Sequence, residues 1–200
     1  MLGSQGGALG QRREAARFGS CDEAALIGRI VEGDLRAFEH LYRLYHPRLT
    51  RFIVNMIHRP QLAEEVLNDT LLVVWNRPDG YDGSSRVSTW IFAIAYRRAL
   101  SALRRHKDPV EDKHAESRQS LEAGPEQELG QRQAREVLMS AMAELSADHR
   151  AVVDLTYFHE LGYREIAQIM SCPVDTVKTR MFHARRHLKR VLAGRMADWL

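Results

Sequence analysis

Cysteine is nearly absent: Cys21 and Cys172 are the only two in 200 residues, and no CxxC spacing occurs. That excludes a disulfide framework and suits a reducing compartment. No apolar run approaches the roughly 18 residues of a membrane span, so none is expected. The first 20 residues hold Gly3, Gly6, Gly7, Gly10 and Gly19 but no apolar stretch. A secretory leader is therefore not expected; residues 1–21 read as a flexible tail, and the chain as cytoplasmic. No Gly-rich phosphate loop ending in Gly-Lys-Ser/Thr is present. His159-Glu160 lacks the second histidine of a zinc-protease helix, because position 163 is tyrosine. Charge of one sign is also scarce, with 29 basic against 26 acidic residues and a net +3. The total identifies no partner; its distribution along the chain is the informative quantity.

What is present is helical periodicity. Leu26, Ile27, Ile30 and Val31 form one apolar set behind a candidate N-cap, Asp22. Asp34 can cap a second helix bearing Ala37, Phe38, Leu41, Tyr42 and Tyr45. Pro47 fits the first turn of a third, with Leu49, Phe52, Ile53 and Met56 on its apolar face. Pro60 fits the start of a fourth, carrying Leu62, Val66, Leu67, Leu71, Val74 and Trp75. Residues 78–85 are a loop by composition, and a fifth helix runs from about Ser88 to Arg105. Residues 107–131 are polar, with Val110, Leu121 and Leu129 too far apart to share a helical face. Such a stretch buries too little surface to offset its ordering entropy and reads as a flexible linker. Periodicity returns from about residue 132 with Val137, Leu138, Ala141, Met142 and Leu145. It continues through Val152, Val153, Leu155 and Tyr157, a short helix from Tyr163 to Met170, and a last helix beginning at Val174. The expected fold is all-α: two small helical domains joined by a polar linker.

Counting by segment gives the net charge its meaning. Residues 1–106 carry 15 basic and 11 acidic side chains, residues 107–135 carry 5 and 7, and residues 136–200 carry 9 and 8. Within 174–195 there are seven basic residues and one acid, Asp175. Helix 88–105 carries Arg97, Arg98, Arg104 and Arg105 and no acid. Basic final turns also complement a helix dipole, but these charges extend well beyond a last turn. Two strongly basic helices in separate modules point to two nucleic-acid contacts.

Residues 163–178 have the spacing of a helix-turn-helix. Ile166, Ala167 and Met170 face inward, Ser171-Cys172-Pro173 makes the turn, and Val174 and Val177 pack the second helix back. That leaves Asp175, Thr176, Lys178, Thr179, Arg180 and His183 outward, where the N-terminal part of such a helix reads a major groove. Arg185, Arg186 and Lys189 follow, placed for phosphate. The alternative is an ordinary corner between two helices of a bundle.

In combination these segments resemble the extracytoplasmic-function group of bacterial sigma-70 factors. The carriers in the first half are Gly33 to Tyr42, Ala63 to Trp75, Ser88 to Ala95 and Leu103-Arg104-Arg105. In the second half they are Leu161 to Ala167 and Pro173 to Arg180. The resemblance covers about residues 22–105 and 132–192. It implies a non-catalytic protein that binds core RNA polymerase through its β′ and β subunits and directs it to promoter DNA. Residues 22–106 would form the domain for core polymerase and the −10 element, and 132–200 the domain for the −35 element.

On the helix from Pro60, Glu64, Glu65, Asn68 and Asp69 lie beside Leu72 and Val73. This is a docking face for a basic partner helix or a solvated acidic face. By resemblance the partner is the β′ clamp. The −10 set is Tyr81, Asp82, Ser84, Ser85, Arg86, Trp90, Arg97, Arg98, Arg104 and Arg105. A melted strand requires cations, stacking surfaces and a base pocket, which these residue types supply. Trp90 fits the core better than a stacking platform. Arg97 and Ser101 stand where the family often has Asn and Asp, which makes this helix more basic. The −35 set is Thr176, Lys178, Thr179, Arg180, His183, Arg185 and Arg186.

Two promoter elements about 17 base pairs apart are separated by roughly 55–60 Å. A linker of about 25 residues reaches that only when held extended, since its free-coil span averages about 25–30 Å. Core polymerase must then set the spacing. No cofactor or metal is expected: His183 and His187 have zinc-like spacing but no third ligand nearby. Cys172 reads as a small packing residue. An anti-sigma partner is implied by the family. The rival reading is a helix-turn-helix regulator acting without core polymerase. Such regulators usually dimerise on palindromes, and two unlike basic domains do not suit that.

Overall fold

A computed structural model describes residues 23–106 and 136–197, with side chains as far as residue 193. The expected tail, its Asp22 cap and the linker lie outside the described residues. Among those described there are eight α-helices, one 3-10 turn and no strand. Helix α1 spans 23–31, α2 Leu35–Ile57, α3 Pro60–Asn76 and α4 Val87–Arg105. After the undescribed segment come α5 (136–143), α6 Ala147–Tyr157, α7 Tyr163–Met170 and α8 Val174–Ala197.

The helix boundaries follow local chemistry. Asp34 caps α2 by accepting from the backbone N–H of Arg36 at 2.9 Å and of Ala37 at 3.2 Å. Gly33 precedes it at φ 83°, a conformation that favours glycine. Helix α2 ends at His58, itself left-handed at φ 54°, and Pro60 then opens α3 at a position that needs no N–H. Ser146 caps α6, accepting from the His149 N–H. Glu165 reaches back to accept from the Gly162 N–H at 3.0 Å and closes the start of α7.

One expectation fails here. The two helices anticipated on either side of Pro47 are a single 23-residue helix with Pro47 inside it. Pro47 is exposed, so the carbonyl that loses its N–H partner faces water, and the helix continues because Tyr45, Leu49, Phe52 and Ile53 on its opposite side are fully buried. Val31 and Tyr42, assigned to apolar faces, are exposed.

The N-terminal core is Leu41, Tyr45, Leu49 and Phe52 of α2 against Val66, Leu71 and Val74 of α3 and Ile91, Phe92 and Ala95 of α4. Each large side chain buried there stabilises by about 1.5–3 kcal/mol. Phe52 and Phe92 meet edge-on at 5.3 Å. In the C-terminal group Leu155, Ile166, Ile169, Val177 and Met181 are buried and continue the same hydrophobic cluster. The two groups are packed together, α2 against α6 and α4 against α7.

Candidate polymerase and nucleic-acid interfaces

Helix α3 has two unlike sides. Leu62, Ala63, Val66, Leu67 and Leu71 are buried, while Glu64, Glu65, Asn68 and Leu72 are exposed. Leu72 is 54% exposed, a large aliphatic in water beside carboxylates. Val73 is half-buried and packs against the core. Asp69 is drawn sideways, 3.6 Å from the Arg98 guanidinium of α4, so the acidic face and the basic helix share one ion pair.

The loop before α4 is built by short-range bonds. The Asp82 carboxylate accepts from the Ser84 N–H at 2.9 Å and its hydroxyl at 2.6 Å, and these bonds hold its carboxyl below the usual range. Gly83 supplies the positive φ of the turn. The Tyr81 hydroxyl donates to the Ser85 carbonyl at 2.7 Å, and its ring lies 5.6 Å from that of Trp90. Burial of Tyr81 raises its phenol pKa. Trp90 is half-buried and packs on the core edge, with Gly80 close over its ring. Arg97, Arg104 and Arg105 are exposed along α4, whereas Arg86 pairs with Glu165 of α7 at 3.3 Å.

Helices α7 and α8 form the helix-turn-helix. Ser171 takes a left-handed conformation at φ 50°, and the Cys172 N–H returns to the Ala167 carbonyl at 3.0 Å. Val177, Met181 and Ala184 seat α8 on the core. Lys178, Thr179, His183 and Arg186 are exposed, and Thr176 is half-buried. Lys178 pairs with Asp175 at 2.9 Å. Arg185 turns toward α6, donating to the Tyr157 hydroxyl at 3.0 Å with its guanidinium 5.7 Å from that ring. Arg180 lies at the other edge of α8, paired with Asp148. Among the described residues no group of three or more ligands could hold a metal ion.

Residues outside these three sets join the two helical groups. The Arg150 guanidinium donates to the carbonyls of Asn55 (3.3 Å) and Met56 (3.2 Å) in the last turn of α2 and of Leu145 (2.8 Å). Asp154 accepts from Asn55 at 2.6 Å and lies 3.1 Å from His159. Tyr96 of α4 donates to Asp148 of α6 at 2.7 Å. The sequence did carry one signal for this network: Arg150 and Asp154, four residues apart, fall among Ala151, Val152, Val153 and Leu155 in a buried run.

Residues 41–108 match the model described as Sigma-70 region 2, and residues 135–188 that of Sigma-70, region 4. The chain is 29% identical over 177 residues to the RNA polymerase sigma-H factor of Pseudomonas aeruginosa, covering 84% of this chain and 92% of that one. It is 26% identical to the ECF RNA polymerase sigma-E factor of Haemophilus influenzae, covering 84% and 93%. Its fold is similar to that of the sigma factor RpoE of Bartonella quintana, solved with the anti-sigma factor NepR. The TM-score is 0.67 at 23% identity, over 80% of this chain and 98% of that one. With regions 2 and 4 in order on the two helical groups, the chain belongs to the extracytoplasmic-function group of the sigma-70 family, and directs transcription initiation as an alternative sigma factor.

Proposed function

We propose that α1–α4 form the domain that docks on core polymerase and reads the −10 element, and that α5–α8 read the −35 element as duplex. The observation that carries this reading is the separation of faces. Helix α3 offers exposed carboxylates around Leu72, α4 offers exposed arginines, and α8 offers Thr176, Lys178, Thr179, His183 and Arg186 while its other side is locked in the core. An exposed aliphatic ringed by acids suits a basic helix of the polymerase β′ subunit. The Tyr81–Ser85 loop, shaped by the Asp82–Ser84 bonds and Gly83 beside Trp90, suits a base turned out of a melted strand, with Arg97, Arg104 and Arg105 along its phosphates. The chain acts in the cytoplasm as a regulatory subunit and leaves catalysis to the polymerase. Among the described residues no helix is long and apolar enough to cross a membrane.

An anti-sigma factor is named with a structural relative of this fold, the Bartonella quintana RpoE, and such a protein is a natural partner here. It would cover the acidic α3 face or the basic α8 face.

Run-off transcription with purified core polymerase and a promoter library tests the reading. Core-dependent transcripts are expected, and their absence sinks it. In the same assay Lys178→Ala weakens −35-dependent initiation, and in a binding titration of −35 duplex across salt concentrations it lowers the salt slope by about 1. Unchanged binding with an unchanged slope would remove α8 from the interface.

A further inference from the structure

Arg48 and Arg51 lie on one face of α2, three positions apart, and neither belongs to the polymerase, −10 or −35 faces. Arg48 is half-buried, its guanidinium 5.3 Å from the centre of the Tyr45 ring and 5.5 Å from that of Phe92. The Arg51 guanidinium lies 3.9 Å over the Phe158 ring. Neither has a carboxylate or hydrogen-bond partner among the described residues. A guanidinium held over an aromatic ring is attracted through its face, and its N–H donors remain available.

Both arginines open on one cavity of about 300 Å³, lined also by Pro47, Phe158, His159 and Glu160. The wall opposite α2 is fixed. The Leu161 N–H donates to the Leu155 carbonyl at 3.0 Å, with Glu160 left-handed at φ 54°, so the turn that ends α6 is closed. The His159 ring lies against Phe92 (4.6 Å) and Phe52 (6.0 Å), and its Nε2 is 3.1 Å from Asp154, which commits it to the interior. The side-chain donors left to a ligand are the two guanidiniums. Glu160 is the one acid among the lining residues, and it is exposed, so its carboxylate can turn to water. Two cations against one acid make the hollow net positive, and the aromatic walls strengthen its field.

We propose that this cavity binds a small phosphate monoester, with the phosphate shared between Arg48 and Arg51. Each guanidinium fork matches two oxygens of a phosphate, and two forks on one helix face can serve a single dianion. A carboxylate brings one charge and two oxygens, enough for one arginine only. A phosphate monoester carries close to two charges at neutral pH and three terminal oxygens. A volume of about 300 Å³ equals roughly ten water molecules and stands at the small end of ligand pockets. That is more than a phosphate group fills, and Pro47 and Phe158 offer apolar surface to a short organic part. Free inorganic phosphate shares the recognition chemistry and is distinguished by the test.

Isothermal titration calorimetry of the full chain at constant ionic strength tests the site, with glycerol 3-phosphate and inorganic phosphate as probes. Both should bind one to one and compete, the ester at least as tightly. Arg48→Gln and Arg51→Gln should each weaken binding about tenfold. Arg51→Lys keeps the charge but lacks the fork, and should still lose several-fold. Glu160→Gln removes the opposing charge and should tighten binding a few-fold, a gain that a poorly folded chain cannot produce. Arg186→Gln on α8 controls for adsorption to the basic helix and should leave binding unchanged. No heat from either probe up to on the order of 10 mM overturns the site. So does undiminished binding in the Arg48→Gln/Arg51→Gln double variant, loss of binding in Arg186→Gln, or the absence of a gain in Glu160→Gln. Binding of phosphate without binding of the ester upholds the two-arginine site and assigns it to the free anion. Promoter-dependent transcription is a separate measurement, so failure of either reading leaves the other standing.

Discussion

The Asn55 side-chain amide donates to the Asp154 carboxylate at 2.6 Å, buried, across 99 positions of sequence. One turn before Asp154 on the same helix, Arg150 reaches the same end of α2. A helix of the C-terminal group therefore adds donors for Asn55 and Met56 at the end of α2, beyond the His58 N–H that caps Val54 locally.

Arg150→Met removes a guanidinium that serves three carbonyls and leaves them buried without a donor. The expected loss is about 3 kcal/mol, measured as a shift in the urea midpoint of the full chain. Burial lowers the Arg150 pKa only to about 10, so the side chain is charged throughout the neutral range and its removal acts at every physiological pH. Arg150→Lys should recover little, because one ammonium cannot reproduce the planar fork. A lysine variant as stable as wild type would contradict this geometry.

His58 provides a pH dependence. Burial, then the nearby Arg150 charge, depresses its pKa from an ordinary 6.5 to about 4. The unfolded chain therefore binds a proton between about pH 6.5 and 4 that the folded chain refuses. The contribution to stability is full above about 6.5 and is lost as pH falls through that window toward 4. Urea midpoints at about pH 7.5 and about pH 5 should differ in wild type, and His58→Leu should reduce the difference. Equal pH sensitivity in both proteins would exclude His58 as the source.

Leu72 is exposed enough that Leu72→Ala should leave the melting transition within about 0.5 kcal/mol of wild type. If this side chain is the apolar centre of the polymerase contact, the same change should weaken core binding about tenfold or more, measured by competition against the wild-type chain. A parallel loss of stability and binding would mean that Leu72 acts through the fold.

Pro47 interrupts the hydrogen bonding of α2 on its solvent side. Pro47→Ala restores an N–H and removes the ring clash, and should stabilise by on the order of 2 kcal/mol. An unchanged or lowered thermal midpoint would show that the ring contributes packing, where Pro47 lines a cavity of about 300 Å³ with Arg48, Arg51 and Phe158.

Much of the molecule was legible one segment at a time. The turn at Ser171-Cys172-Pro173, the bounds of α7 and the inward set Ile166, Ala167, Met170 and Val177 follow from residue spacing, because a helix repeats its own geometry every few residues. The exposed state of Glu64, Glu65, Asn68 and Leu72 follows from the same rule applied to α3. Pro47 misled because its local preference is for a first turn, and long-range burial of Tyr45, Leu49 and Phe52 outweighed that preference. The roles of Arg180 and Arg185 were not separable in sequence, since both look outward by spacing. Packing turns one to Asp148 and the other to Tyr157.

The helical class, the two basic helices, the helix-turn-helix and the family were all readable from the chain, because each depends on patterns within about 20 residues or on their order. The joint burial of Asn55, Arg150 and Asp154, and the packing of α2 on α6 and α4 on α7, come from three-dimensional packing alone. No local pattern encodes a partner 94 to 99 positions away; that pairing exists only where the packing of α2 against α6 excludes water and leaves each polar group dependent on the other.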